Sequence, residues 1–285
     1  MRAVRLATRA STLALAQARW VADRLTTAHP ELSTTLVEIT TTGDADRFSP
    51  VTTLTEVGAF VRSVQMAVLD GRADVAVHSC KDLPVAGPGG LATIFPEREA
   101  PWDVLCGTNL ESLPEGARVG TGSPRRTAQL AALRPDLSIE DIRGNIDTRL
   151  GKVSSGEFDA VVLAEAGLNR IGRQSEIAHR FEVSEMVPAP AQGALALEVM
   201  ADSDIAEIVA HIDHAPSRVS VEAERSLLAR TGAGCRAALG AVALHDAGEL
   251  IMHGFVEDEQ GRRTAQVRHA GGLEASRLLQ EELRL

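Results

Sequence analysis

Six arginines stand where a predicted strand ends or a predicted helix begins: Arg9, Arg125, Arg126, Arg143, Arg149 and Arg170. A guanidinium presents a planar fork of N–H donors that fits a carboxylate bidentately, and a helix N-terminus adds unpaired backbone N–H groups to it. Arginines repeated at such places would line a crevice suited to a ligand with several carboxylates. Ser11 follows Arg9, Ser123 precedes Pro124, and Asn145 follows Arg143 and Gly144; each is a residue type that caps a helix start. Arg125 and Arg126 fall on a first helical turn, where the helix dipole disfavours cations. Bound anions would relieve that conflict, which makes Thr121-Gly122-Ser123-Pro124-Arg125-Arg126 the strongest local anion signal. Taken singly, each arginine also reads as a solvated cation beside an ordinary cap.

Two further stretches carry reactive groups. His78-Ser79-Cys80-Lys81-Asp82-Leu83-Pro84 follows a predicted strand over 74–77, and in open α/β sheets the ligand crevice lies beyond the carboxyl ends of the strands. Lys81 beside Asp82 could be a surface ion pair of little consequence, yet lysine occurs in this chain only at Lys81 and Lys152. Lys81 would also lower the pKa of a Cys80 nucleophile, with His78 the one nearby base. Thr231-Gly232-Ala233-Gly234-Cys235-Arg236 places a thiol on a small-residue loop after a helix. Its glycines free the backbone and leave room beside the sulfur, as a covalent attachment point requires; the loop equally reads as a helix end followed by a small apolar residue.

Composition bounds what these groups can serve. At 285 residues with 44% apolar content, the chain has material for about two globular domains. A net charge of −10 excludes a nucleic-acid partner held by a general basic field. There are no tyrosines, so phenol acid chemistry is excluded. The three cysteines have neither CxxC spacing nor an even count, which fits a reducing cytoplasm and gives no reason to expect a metal. No apolar run approaches the roughly 18 residues of a membrane span, and the arginines of residues 1–10 precede no apolar leader segment.

Periodicity supplies the scaffold. Strands are predicted over 4–8, 32–41, 74–77, 91–95, 118–121, 138–142, 158–164 and 195–199, alternating with helices that open near Ser11, Phe60, Ser123 and Asn145. That alternation implies parallel βαβ units, and it restarts after the charged connection 97–101. The polar stretch 42–56 is too long for a tight turn. Residues 188–194 read as a linker, 203–214 and 216–230 as helices, and the remainder as hairpin strands closed by a helix over 274–283.

In this order the motifs resemble the porphobilinogen deaminase family over nearly the full length. The matching segments are Ala7-Thr8-Arg9-Ala10-Ser11 with Leu13-Ala14-Leu15, Val77-His78-Ser79-Cys80-Lys81-Asp82-Leu83-Pro84, Gly120-Thr121-Gly122-Ser123-Pro124-Arg125-Arg126, Arg143-Gly144-Asn145 with Thr148-Arg149-Leu150, Leu163-Ala164 with Ala166-Gly167-Leu168, Gln192-Gly193-Ala194, and Gly234-Cys235. The resemblance implies a transferase that joins four porphobilinogen molecules with release of ammonia to give hydroxymethylbilane, on a dipyrromethane primer held by a thioether to Cys235. It implies an α/β fold of two periplasmic-binding-protein-like domains, residues 1–97 with 193–213 and residues 98–190, plus a small α+β C-terminal domain, 216–285. Asp82 would be catalytic. Ser79, Lys81, Thr121, Ser123, Arg125, Arg126, Arg143 and Gln192 would hold the cofactor, and Arg9, Ser11, Arg149 and Arg170 the substrate. A cytoplasmic monomer without nucleic-acid or membrane partners would follow. The alternative is a catalytically silent two-lobed binding protein for an anionic small molecule. Departures from the family pattern include a lid stretch, 53–60, without a basic residue, Thr12 and Thr42 where proline and arginine are common, Gly122 in place of serine, and Ala233 in place of a glycine.

Overall fold

A computed structural model describes residues 2–39, 55–231 and 238–285. Cys235 with its loop, and most of the stretch 42–56, lie outside the described residues. Along the chain, β1 (Arg2–Arg9), α1 (Thr12–Ala28), β2 (Leu32–Ile39), α2 (Thr55–Leu69), β3 (Val75–Ser79) and β4 (Leu91–Ile94) come first. Then follow β5 (Asp103–Cys106), β6 (Arg118–Gly120), α3 (Pro124–Leu133), β7 (Ser138–Glu140), α4 (Ile146–Ser154), β8 (Ala160–Ala164), α5 (Glu165–Arg170) and β9 (Ile177–Arg180). The last are β10 (Leu195–Met200), α6 (Asp204–Ala210), α7 (Ala215–Arg230), β11 (Ala238–Asp246), β12 (Glu249–Asp258), β13 (Gly261–His269) and α8 (Gly272–Leu283).

The described chain divides into two compact units, Met1–Arg98 with Ala194–Arg218 and Glu99–Gly193 with Val219–Leu285. The first holds a five-stranded sheet ordered β2-β1-β3-β10-β4, in which β10 alone runs antiparallel to its neighbours. α1 presents Ala18, Val21 and Leu25 to one face of this sheet, beside Ile205 and Val209 of α6. Val64, Ala67 and Val68 of α2 cover the other. Covered on both faces, β10 is a near-continuous apolar run, buried from Leu195 to Val199.

The second unit repeats the plan with β7-β6-β8-β5-β9, and here β5 is the antiparallel strand. Each antiparallel strand sits fourth in its sheet, between the third strand and the edge, so the two sheets share one strand plan; β10 reaches its place from the second chain segment of its unit, whereas β5 precedes the other strands of its own. β5 and β9 went unpredicted; β5 is buried throughout and so lacks the alternation that marks a half-buried strand. The same unit also carries the antiparallel sheet β11-β12-β13, whose core is filled by Ala223 and Leu227 of α7 and Ala275, Leu279 and Leu283 of α8. The fold is thus the expected α/β class with a small α+β module at the C-terminus. α6 ends at Ala210, short of the predicted 214, where Asp213 Oδ1 turns to accept from the Phe95 N–H at 3.2 Å.

Candidate active site

Asp82 lies beyond the carboxyl end of β3, on a single 3-10 turn, Cys80–Asp82. That turn is anchored from behind. The Cys80 N–H donates to Ala194 O at 3.0 Å, the Leu83 N–H to Cys80 O at 3.1 Å, and the Leu83 side chain is buried. Asp82 itself is exposed and Lys81 half-buried. Ser79 is engaged inward, its hydroxyl accepting from Gln17 Nε2 at 2.8 Å and donating to Gln17 Oε1 at 3.2 Å. Cys80 has no solvent exposure, which removes it as a nucleophile: a thiol walled off from solvent meets no substrate. His78 is not poised as a base for it either, since its Nε2 lies 3.0 Å from Glu198 Oε2 beneath the turn. Gln65 Nε2 donates to both Glu198 oxygens, at 3.1 and 2.9 Å. In the same unit Arg9 ends β1, half-buried, and the Ser11 hydroxyl accepts from the Ala14 N–H at 3.3 Å as the cap of α1.

The other arginines fall in the second unit, and two of them already face an anion. Arg125 Nη1 donates to Asp103 Oδ2 at 2.7 Å and Nη2 to Oδ1 at 3.2 Å, while Arg126 Nε donates to Oδ1 at 2.8 Å. Arg125 and Arg126 are 3% and 7% exposed and Asp103 not at all. The expected conflict between these cations and the α3 dipole is therefore met by a carboxylate of the chain itself, at the start of β5. Burial would raise the Asp103 pKa, but Arg125, Arg126 and the Gln192 amide together outweigh it and hold the group well below the usual carboxylate range. Arg125 also reaches Val187 O at 2.7 Å, and Arg126 Nη1 reaches Val162 O at 2.9 Å. Ser123 caps α3, with Pro124 at its first position as expected, and Thr121 Oγ1 accepts from the Ser123 N–H at 3.2 Å.

Around this pair the remaining cations are more open. Arg143 Nε lies 3.2 Å from Asp141 Oδ2 near the surface. A Cβ at Gly122 would come within 2.9 Å of Asp141 Oδ1, the tip of an exposed side chain that can swing aside, and 3.3 Å from Ile142 O, so nothing in the structure explains the glycine there. Asn145 caps α4 by accepting from the Thr148 N–H at 2.8 Å, and Arg149 Nε donates to Gly144 O at 2.9 Å. Burial, with help from neighbouring Arg126, lowers the Arg149 pKa against the opposing pull of Asp141. Burial likewise brings Arg170 down to about 10, partly offset by Glu99. Cations whose charge is disfavoured by burial and by each other gain from an incoming anion, so this donor set fits a group bearing several carboxylates, as dipyrromethane does.

Gln192 and Gly193 bind this unit together. Gln192 Nε2 donates to Pro101 O at 2.8 Å and to Asp103 Oδ1 at 3.1 Å. Gly193 has φ +85, and a Cβ would strike Glu99 O and Ala100 O; its own carbonyl accepts from Arg170 Nη2 at 2.6 Å. Sequence reasoning named the arginines and Gln192 but missed Asp103, Glu198 and Glu224, the last of which is buried on α7 and accepts from the Ala191 N–H at 2.6 Å.

Residues 4–207 match the family described as porphobilinogen deaminase, dipyromethane cofactor binding domain. Among curated proteins, the porphobilinogen deaminase of Roseiflexus castenholzii is 42% identical, with 98% of this chain and 94% of the relative covered. That of Thermobifida fusca is 49% identical over 84% of this chain and 76% of the relative, and that of Thermus thermophilus 45% identical over 92% and 87%. Among solved structures, the periplasmic aliphatic sulphonate binding protein SsuA from Escherichia coli is similar with a TM-score of 0.41 and 14% identity, covering 81% of this chain and 71% of that one. With sequence relatives at this identity along nearly all of its length, and a cation set suited to a polycarboxylate, the chain belongs to the porphobilinogen deaminase family.

Proposed function

We propose that this chain is a hydroxymethylbilane synthase in which Asp82 is the catalytic carboxylate and Cys235 the attachment point of the dipyrromethane primer. The observation that carries the reading is the exposed Asp82 on a turn whose neighbours are anchored on both sides. Arg9, Arg149 and Arg170, with Ser11, hold the acetate and propionate groups of incoming porphobilinogen. Lys81, Arg125, Arg126 and Arg143, with Ser79, Thr121, Ser123 and Gln192, serve the cofactor. For Ser79, Arg125, Arg126 and Gln192, whose polar groups are engaged within the protein, that service is to shape the wall on which the more open cations stand.

Bound dipyrromethane supplies the nucleophilic pyrrole carbon on which the chain grows. Loss of ammonia from the protonated aminomethyl group of the substrate breaks the C–N bond with its electron pair leaving on nitrogen, and the pyrrole ring is left with positive charge. Asp82, fixed beforehand, stabilises that charge at the ring N–H without reorganising. Carbon–carbon bond formation then requires a proton to leave the attacked ring, and the same carboxylate is placed to relay it. After four additions the product is released by hydrolysis of the bond between the primer and the first added ring: a proton goes to the primer carbon, the hydroxide of water to the freed methylene, and the tetrapyrrole leaves with its hydroxymethyl group while the primer stays on the protein.

The domain division given above, 1–97 with 193–213, 98–190 and 216–285, belongs to this reading, as does a cytoplasmic monomer that needs neither nucleic acid nor membrane. Among the described residues no helix is long and apolar enough to cross a membrane. A silent binding protein is not favoured, because the relatives above are named for the deaminase activity. The test is Asp82→Asn: it retains the mass of the covalent cofactor while consumption of porphobilinogen falls at least about a hundredfold, the scale of losing one preorganised electrostatic partner. Normal turnover in that variant refutes the role of Asp82.

A further inference from the structure

Glu224 has no solvent exposure, yet it lies on α7, one helical segment ahead of the loop that contains Cys235. Both of its carboxylate oxygens accept backbone N–H groups from different parts of the second unit. Oε2 accepts from Ala191 at 2.6 Å and Oε1 from Ala243 of β11 at 2.7 Å. Bonds of this kind, from N–H groups to a buried charge, are the strong ones.

The Ala191 bond is needed for a specific reason. Ala191 has φ +61, the left-handed region that a residue with a Cβ enters only when its surroundings compel it. This turn sends the next side chain, Gln192, back onto Pro101 O and Asp103 Oδ1, and the carbonyl after that onto Arg170. Asp103 is the carboxylate on which Arg125 and Arg126 rest. The path Glu224–Ala191–Gln192–Asp103–Arg126 is thus continuous, each step a hydrogen bond or a peptide unit. Around it, the Ala241 N–H donates to Pro188 O at 2.8 Å, and Gly240 lets β11 approach so closely that a Cβ would lie 2.7 Å from Val187 O. The C-terminal sheet is therefore seated on the same linker that Glu224 grips.

We infer that Glu224 is a positioning residue: by holding the 189–193 turn it keeps Gln192 on Asp103 and so fixes the Arg125 and Arg126 guanidiniums, tying the cysteine-bearing C-terminal module to the arginine cluster. Its relevance to turnover rests on the proposed function; its positional part does not. Glu224→Gln offers one acceptor oxygen and an NH2 group that confronts a backbone N–H, so one of the two bonds is lost at nearly constant volume.

The experiment is 15N NMR of the arginine Nε–H groups in full-length protein, with the Arg126 signal assigned through Arg126→Lys, run beside steady-state kinetics. In the wild type the Arg126 Nε–H, buried on Asp103, exchanges slowly; in Glu224→Gln it exchanges at least about tenfold faster, and KM for porphobilinogen rises severalfold with kcat little changed. Arg126 protection unchanged in a folded Glu224→Gln protein overturns the inference. Lost protection with unchanged KM upholds the positional tie and counts instead against the cluster's part in binding substrate. Where Glu224→Gln does not fold, Gln192→Ala, which leaves both Glu224 bonds in place, must release Arg126 in the same way, and continued protection there overturns the inference too.

Discussion

Asp103 and Arg125 form a bidentate pair sealed from solvent, Nη1 to Oδ2 at 2.7 Å and Nη2 to Oδ1 at 3.2 Å. Arg126 shares the Oδ1 oxygen with Gln192, so one carboxylate balances two buried guanidiniums. The charge left over is positive, and after burial Arg126 is the next cause that lowers the pKa of Arg149.

Removing that carboxylate leaves two cations in a dry site without compensation. Asp103→Asn is expected to destabilise the folded protein by about 3–5 kcal/mol, the scale of breaking a buried pair from one side. Urea denaturation at neutral pH checks this; a loss below about 1 kcal/mol would mean that water or another group replaces the charge.

The same pair makes stability depend on acid in a defined direction. The Asp103 pKa is held below its ordinary value of 3.8 in the folded protein, so the folded state binds its proton less readily than the unfolded one. The stabilisation is fully present above that value and is lost as pH falls through it toward the folded pKa. Denaturation of the wild type and Asp103→Asn at several pH values therefore gives curves that converge below about pH 4, and a gap that stays constant into acid contradicts the assignment.

Gly193→Ala tests the close approach at the end of the linker. The added methyl meets Glu99 O and Ala100 O at a backbone of φ +85, and these are main-chain atoms that cannot swing aside. A loss of at least about 2 kcal/mol is expected, together with weaker substrate binding, because the Gly193 carbonyl orients Arg170. Thermal melting and KM are the two readings.

Arg149 is a cation that gains from a bound carboxylate, its charge disfavoured by burial and by Arg126. Arg149→Ala is expected to raise KM for porphobilinogen about tenfold to a hundredfold, the worth of a charge-assisted bond, while the melting temperature holds or rises. A lower melting temperature with unchanged KM would assign Arg149 to the scaffold.

What could be read from sequence was local. Ser11, Ser123 and Asn145 were legible as caps because cap and helix adjoin, and the βα alternation located the strands whose ends carry Asp82 and the arginines. Asp103 was not legible as their partner: it lies 22 and 23 residues from Arg125 and Arg126 and 89 from Gln192, on a four-residue strand with no periodic signal. Likewise Gln65 and Glu198 meet across 133 residues. Chemistry-bearing types announce themselves, whereas the buried groups that hold them are fixed by tertiary packing, which spacing along the chain does not encode.

The central claim is a dipyrromethane primer joined to Cys235, and the intact mass of the purified protein tests it most directly. Protein from cells that make porphobilinogen should carry an increment of two condensed porphobilinogen units, kept in Cys80→Ser, whose thiol is buried in the wild type, and absent in Cys235→Ser. An unmodified wild type, or an increment that survives Cys235→Ser, would contradict the account.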